Sequence, residues 1–181
     1  MFPLPWSRED FGTKHTQHQA GYGAVTGPRF PGAVREAAKG KSVGMQGVNY
    51  EASFYGFLAG GDKDGGGNMT KITTDFVNKC PNSNIVVSGY SQGAQVTHLA
   101  AQAMSPDVPA KISSAVVFGD PLDGKPIQGV PKEKTLSICR DGDPIYRSAG
   151  TLVLIPHLQY DQGAGKAAQF VVSQMKTRRS V

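Results

Sequence analysis

Asn84-Ile85-Val86-Val87-Ser88-Gly89-Tyr90-Ser91-Gln92-Gly93-Ala94 is the stretch on which the reading of this chain turns. Asn84 to Ser88 is a short continuous apolar strand of the type buried on both faces in a parallel sheet. Pro81-Asn82-Ser83 breaks whatever precedes it. Gln92 to Met104, rich in Ala, Gln and Leu, reads as a helix. Between strand and helix stands Gly-x-Ser-x-Gly. So short a pattern recurs by chance, and its position on a strand-to-helix turn is what gives it meaning. A serine there has its Oγ held out over the carboxyl edge of the sheet, with glycines on either side because a larger Cβ would clash. The helix start aims unpaired backbone N–H groups at the same point, which places the Gln92 N–H to bind a developing oxyanion.

The flanking sequence supplies the rest of a layered domain. Upstream, Phe30 to Ala38 reads as a short helix and Ser42 to Tyr50 as a strand through Val43, Met45 and Val48. Glu51 to Gly67 reads as a Gly-rich loop, and Met69 to Cys80 as a helix with Met69, Ile72, Phe76 and Val77 at helical spacing. Downstream, Ile112 to Gly119 and Thr135 to Cys139 read as strands and Gly165 to Lys176 as a last helix. Strands alternating with helices predict an α/β three-layer sandwich around a mostly parallel sheet.

Composition bounds the function. The 181 residues make one domain, and 39% hydrophobic with only 18% charged excludes intrinsic disorder and a coiled coil. The longest apolar runs, such as Ala115-Val116-Val117-Phe118, are strand-sized, so no membrane span is expected. The net charge of +5 is scattered, apart from Lys176, Arg178 and Arg179 at the tail, and nucleic acid is not an expected partner. Residues 1–20 are polar and patternless and show no signal peptide. There is no H-E-x-x-H, C-x-x-C or phosphate loop, so neither a metal nor an organic cofactor is expected.

A serine nucleophile needs a base and an orienting carboxylate, which in this type of fold follow in the order Ser, Asp or Glu, His. His98 lies seven residues after Ser91 on the same helix, ~10 Å along its axis and out of reach. That leaves His157, in Pro156-His157-Leu158 after the apolar run Leu152 to Ile155. For the acid, Arg140-Asp141-Gly142-Asp143-Pro144 offers Asp141 and Asp143, with Asp120 and Asp123 less favoured. The residues themselves do not choose between Asp141 and Asp143. The Leu152–Ile155 run reads equally as the wall of an acyl groove or as half-buried strand.

From Gly21 onward the chain resembles the cutinase family of fungal serine esterases, which includes acetylxylan esterases. The resemblance rests on Thr26-Gly27-Pro28, Gln46-Gly47-Val48-Asn49-Tyr50, Lys79-Cys80-Pro81, Gly89 to Ala94, Cys139 with Gly142-Asp143-Pro144-Ile145, and Pro156-His157-Leu158 with Tyr160. It implies a small lidless α/β-hydrolase domain over residues 21–181, secretion, a monomer, and hydrolysis of an ester polymer or lipid-like substrate. Cutin is the first expectation, acetylated xylan the alternative. It selects Asp143 as the acid beside Ser91 and His157. It also places a second oxyanion-hole residue at Thr16, counting back from Gly27-Pro28.

Residues 1–20 do not match the family pattern, which opens on an apolar strand ending in Arg-Gly-Ser or Arg-Gly-Thr. The resemblance makes that strand central to the sheet, and Phe11 to Thr16 is its only substitute here. An aberrant amino terminus, weak stability and an impaired esterase are the expectations that follow. The family pairs the cysteine at Cys80 with the N-terminal region and bridges the loop around the acid. Here the first partner is missing and Tyr146 stands where the partner of Cys139 would be. A Cys80–Cys139 bond is not expected either: opposite sheet edges lie ~17–20 Å apart, and a disulfide spans at most ~7 Å between Cα atoms.

Overall fold

The computed structural model describes residues 25–27, 29–146 and 153–175. The segment 1–20, with Thr16, and the basic tail Lys176, Arg178 and Arg179 lie outside the described residues. In chain order the elements are α1 (Arg29–Ala37), α2 (Phe54–Leu58), α3 (Lys63–Lys79), β1 (Ile85–Tyr90), α4 (Gln92–Ala103), β2 (Ile112–Phe118), β3 (Thr135–Ile138) and α5 (Ala164–Gln174). The three strands are parallel in the order β1-β2-β3.

Three layers follow from the side-chain alternation of β2, which is buried along its whole length. Ala115 and Val117 point into a core built with α3 and α4, including Met69, Val77, Ala94, Val96 and Ala100. Val116 and Phe118 point the other way, into a core with Phe30 and Val34 of α1 and Ala167, Ala168 and Val171 of α5. A strand apolar on both faces, sandwiched between helix pairs, is what a parallel sheet requires.

Two elements depart from the sequence reading. Ser42–Tyr50 is not a strand; residues 41–53 run as irregular chain. Val48 and Tyr50 nonetheless pack on the α3–α4 core and Val43 on the α1–α5 core, so the spaced apolar residues mark anchoring points and not a pleat. The Gly-rich stretch Glu51–Gly67 is not all loop: it holds α2 and the first turn of α3. Asp62 caps α3, its side chain accepting the Gly65 N–H at 2.6 Å. Gly66 then lets α3 approach α4, since a Cβ there would stand 2.9 Å from Leu99 Cβ. A cap and a close helix contact offset the ~1 kcal/mol that each helical glycine costs.

Cys80 and Cys139 are both free thiols. Among the described residues no helix is long and apolar enough to cross a membrane.

Candidate active site

The carboxyl ends of all three strands meet at one edge, where crevices form in parallel α/β sheets. β1 runs into Ser91, β2 into Gly119 and β3 into the loop that carries Asp143. Two backbone bonds extend the ladder past the strand ends, Ser91 N–H to Phe118 C=O at 2.9 Å and Gly119 N–H to Ile138 C=O at 3.0 Å. Each loop therefore starts from a fixed point.

Ser91 sits at φ 54°, ψ −120°, a backbone conformation that an L-residue enters only under strain. The turn is so tight that a Cβ on Gly89 would lie 2.1 Å from the Gly93 carbonyl oxygen, so no other residue fits. Gly93 is less constrained: a Cβ there meets only the Tyr50 hydroxyl at 3.3 Å. The Ser91 side chain makes no capping bond to α4, which leaves its hydroxyl to other partners.

One partner is His157. Its Nε2 stands 2.9 Å from Ser91 Oγ, and its Nδ1 2.8 Å from Asp143 Oδ2. A carboxylate only accepts, so Nδ1 carries the proton and Nε2 is left to accept from the serine hydroxyl. The ring and the carboxylate are both buried. His157 is set by the 3-10 turn Ile155–Leu158, which opens with Pro156 at its start and closes with the His157 N–H on Leu154 C=O at 2.9 Å. From the far side Tyr90 donates its hydroxyl to the His157 carbonyl at 2.7 Å, with the two rings 5.0 Å apart.

Asp143 receives three donors: His157 and the Tyr160 hydroxyl (2.7 Å) on Oδ2, and the Ile145 N–H (3.0 Å) on Oδ1. Burial pulls its pKa up, but the bonds from His157, Tyr160 and Ile145 and the nearby imidazole outweigh that, and the carboxyl lies below its ordinary value. The same carboxylate acts outward. Burial first, then the charge of Asp143, push the Tyr90 phenol up to about 12.

Asp141, left open by the sequence, is exposed at the tip of that loop, while the turn closed by Asp143 N–H on Arg140 C=O (3.2 Å) directs Asp143 inward. Asp120 is engaged elsewhere: its Oδ2 lies 2.8 Å from His98 Nε2, and its Oδ1 accepts the Leu122 N–H. His98 is thus paired with Asp120, and the imidazole next to Ser91 Oγ is that of His157. His98 also borders a cleft of about 700 Å³ with Gln102, Lys125 and Gln128, which none of Ser91, Asp143 and His157 lines.

Sequence reading missed the scaffold around these residues. Gly119, at φ +53°, is hemmed in by Tyr160 and His157; a Cβ there would be 2.7 Å from the Tyr160 ring and 3.2 Å from His157 Cε1. Gln92 and Gln95 send their side-chain amides to the carbonyls of Ser53 (2.8 Å) and Phe57 (3.1 Å), fastening α2 beside the turn that carries Ser91. Arg140 binds Gln159 and Gln162 and so ties the Asp143 loop to the His157 segment. Only the Gly-Tyr-Ser-Gln-Gly and Pro-His-Leu-x-Tyr contexts marked any of them in advance. Among the described residues no group of three His, Cys, Asp or Glu could hold a metal ion.

A family model described as Cutinase matches residues 10–175. The chain belongs to the cutinase family. The cutinase of Botryotinia fuckeliana is 46% identical over 149 residues, 82% of this chain and 73% of that protein. A cutinase of Blumeria hordei is 44% identical over 155 residues, 86% of this chain and 65% of that one. Among solved structures, Trichoderma reesei cutinase in complex with a C11Y4 phosphonate inhibitor aligns with a TM-score of 0.78 at 40% identity, covering 83% of this chain and 68% of that one. A cutinase-like protein from Cryptococcus sp. aligns with a TM-score of 0.62 at 20% identity, over 86% of this chain and 90% of that one, a likeness of fold. Cutinases are carboxylic ester hydrolases with the α/β-hydrolase fold, and the parallel sheet between two helix layers is this chain's form of it.

Proposed function

We propose that this cutinase-family chain is a serine esterase that cleaves cutin through an acyl-enzyme, with Ser91 as nucleophile, His157 as general base and acid, and Asp143 as the orienting carboxylate. The observation that carries the reading is the unbroken chain Asp143–His157–Ser91, at 2.8 and 2.9 Å. His157 takes the hydroxyl proton as Ser91 Oγ attacks the ester carbonyl, then gives it to the departing alcohol. Water follows the same route in reverse, attacking the acyl-enzyme with His157 as base, and releases the acid. Asp143 keeps the proton on Nδ1 and stabilises the imidazolium. The Gln92 N–H at the start of α4 holds the tetrahedral oxyanion. No metal or organic cofactor enters.

The rim supports an apolar acyl chain. Phe54, Tyr55 and Leu58 of α2, which Gln92 and Gln95 hold next to the Ser91 turn, are exposed, and so are Val153, Leu154, Ile155 and Leu158, the chain neighbours of His157. Residues 153–155 form no strand, and their exposed apolar side chains support the groove reading of that part of the run. They suit an insoluble aliphatic polyester better than an acetyl group, which offers a single methyl to bind.

The test uses p-nitrophenyl esters of rising acyl length, an alkyl phosphonate and two variants. Butyrate should be cleaved faster than acetate, and the phosphonate should label Ser91 and silence the protein. Ser91→Ala and His157→Ala should each lower kcat by about 10⁶. Activity surviving in Ser91→Ala would overturn the assignment of the nucleophile.

A further inference from the structure

Tyr160 is fully buried, and its hydroxyl is spoken for on both sides. It accepts the Arg140 N–H at 3.1 Å and donates to Asp143 Oδ2 at 2.7 Å. Because a backbone N–H already points at the oxygen, the phenol proton has one productive direction, toward the carboxylate. Burial, followed by the bond to Asp143 and its charge, pushes the phenol pKa up, so the proton stays in place throughout the working range of an esterase. The oxygen that Tyr160 reaches is the one that His157 Nδ1 also uses, at 2.8 Å. The ring meets the imidazole edge-to-face, with centroids 5.9 Å apart and planes at 82°.

We propose that Tyr160 is a positioning residue for the catalytic acid: by sharing Oδ2 of Asp143 with His157, it fixes the carboxylate and limits how strongly that oxygen draws the imidazole proton. The inference rests on the triad reading above. Two donors on one oxygen divide its charge between them. Without the phenol, Oδ2 would bind the Nδ1 proton more tightly, favour the imidazolium, and leave less neutral His157 to accept from Ser91 at mildly acid pH. The other groups facing the imidazole do not supply this. Tyr90 packs on the ring but spends its hydroxyl on the His157 carbonyl, Ser91 faces Nε2, and Asp120, next to Gly119, is turned to His98. The Arg140 guanidinium lies against Gln159 and Gln162.

Tyr160→Phe keeps the ring and removes only the hydroxyl. The low-field NMR resonance of the His157 Nδ1 proton should move further downfield. The kcat should fall about tenfold with KM within about twofold, and the acid limb of kcat/KM should move up by about half a pH unit. Incorporating 3-fluorotyrosine at position 160 makes the phenol a stronger donor and should move resonance and limb the opposite way. A tyrosine that merely filled space would lower the melting temperature and leave both where they were; that result in either folded protein overturns the proposal. Should Tyr160→Phe fail to fold, the direction of shift in the fluorotyrosine protein decides alone. Ser91→Ala separates the two failures. If it stays active, the triad reading falls; if it is silent while the acid limb never moves at position 160, only the role of Tyr160 falls.

Discussion

Ser91, His157 and Asp143 come from three separate loops, and their spacing along the chain says nothing about the 2.8 and 2.9 Å that join them. What could be read in advance was local. A serine between two glycines at a strand end has few conformations available, and elimination left one histidine. The carboxylate was another matter, because Asp141 and Asp143 share a turn and differ only in which way the turn faces. Asp143 also makes a prediction in acid. Its pKa is lowered in the folded state, so its contribution to stability is complete above the ordinary carboxylate value of ~3.9 and is lost as pH falls through the lower folded value. The difference in urea unfolding free energy between the wild type and Asp143→Asn should therefore shrink as pH is taken from about 5 to about 2. A constant difference across that window would mean that the buried bonds to Asp143 do not favour its ionised form.

Secondary elements were legible to the extent that their signal lay within one stretch of chain. The strand at 84–88, the helix from Gln92 and the strands at 112 and 135 follow from apolar runs and breakers, and each stands within a residue or two of its expected bounds. The irregular segment 41–53 gave the wrong signal because apolar residues spaced two or three apart also serve chain that merely drapes over a core. In α3 the glycines misled because their cost is local while their gain is not. Gly66 lies against Leu99 of α4, whereas a Cβ on the exposed Gly67 would meet nothing within 4 Å. Gly67→Ala should accordingly raise the unfolding free energy by about 0.5–1 kcal/mol, by helix propensity alone. Gly66→Ala should lower it, since the new methyl must push the two helices apart. Urea denaturation of both variants checks this, and equal effects would mean that the α3–α4 approach is looser than the contact implies.

As a whole the molecule is held without covalent cross-links among its described residues. Cys80 closes the end of α3 and Cys139 follows β3, both as free thiols. The melting temperature should be the same with and without dithiothreitol, to within about 1 °C, because a disulfide of typical worth would shift it by several degrees. A clear drop on reduction would contradict the free state of both. With no disulfide around Asp143, its loop is tied to the His157 segment by the fork of Arg140 on Gln159 and Gln162. Order along the chain and local patterning were enough to give the layered α/β class and the strand-to-helix turn at Gly89–Gly93, since backbone sterics and burial act over a few residues at a time, and the resemblance of the quoted motifs gave the family. The choice of carboxylate, the second donor on its oxygen, the pairing of His98 with Asp120 and the docking of α2 all depend on which loop ends meet in space. Those meetings join residues 14 to 67 positions apart. They are fixed by the packing of the two cores, which no single stretch of chain contains.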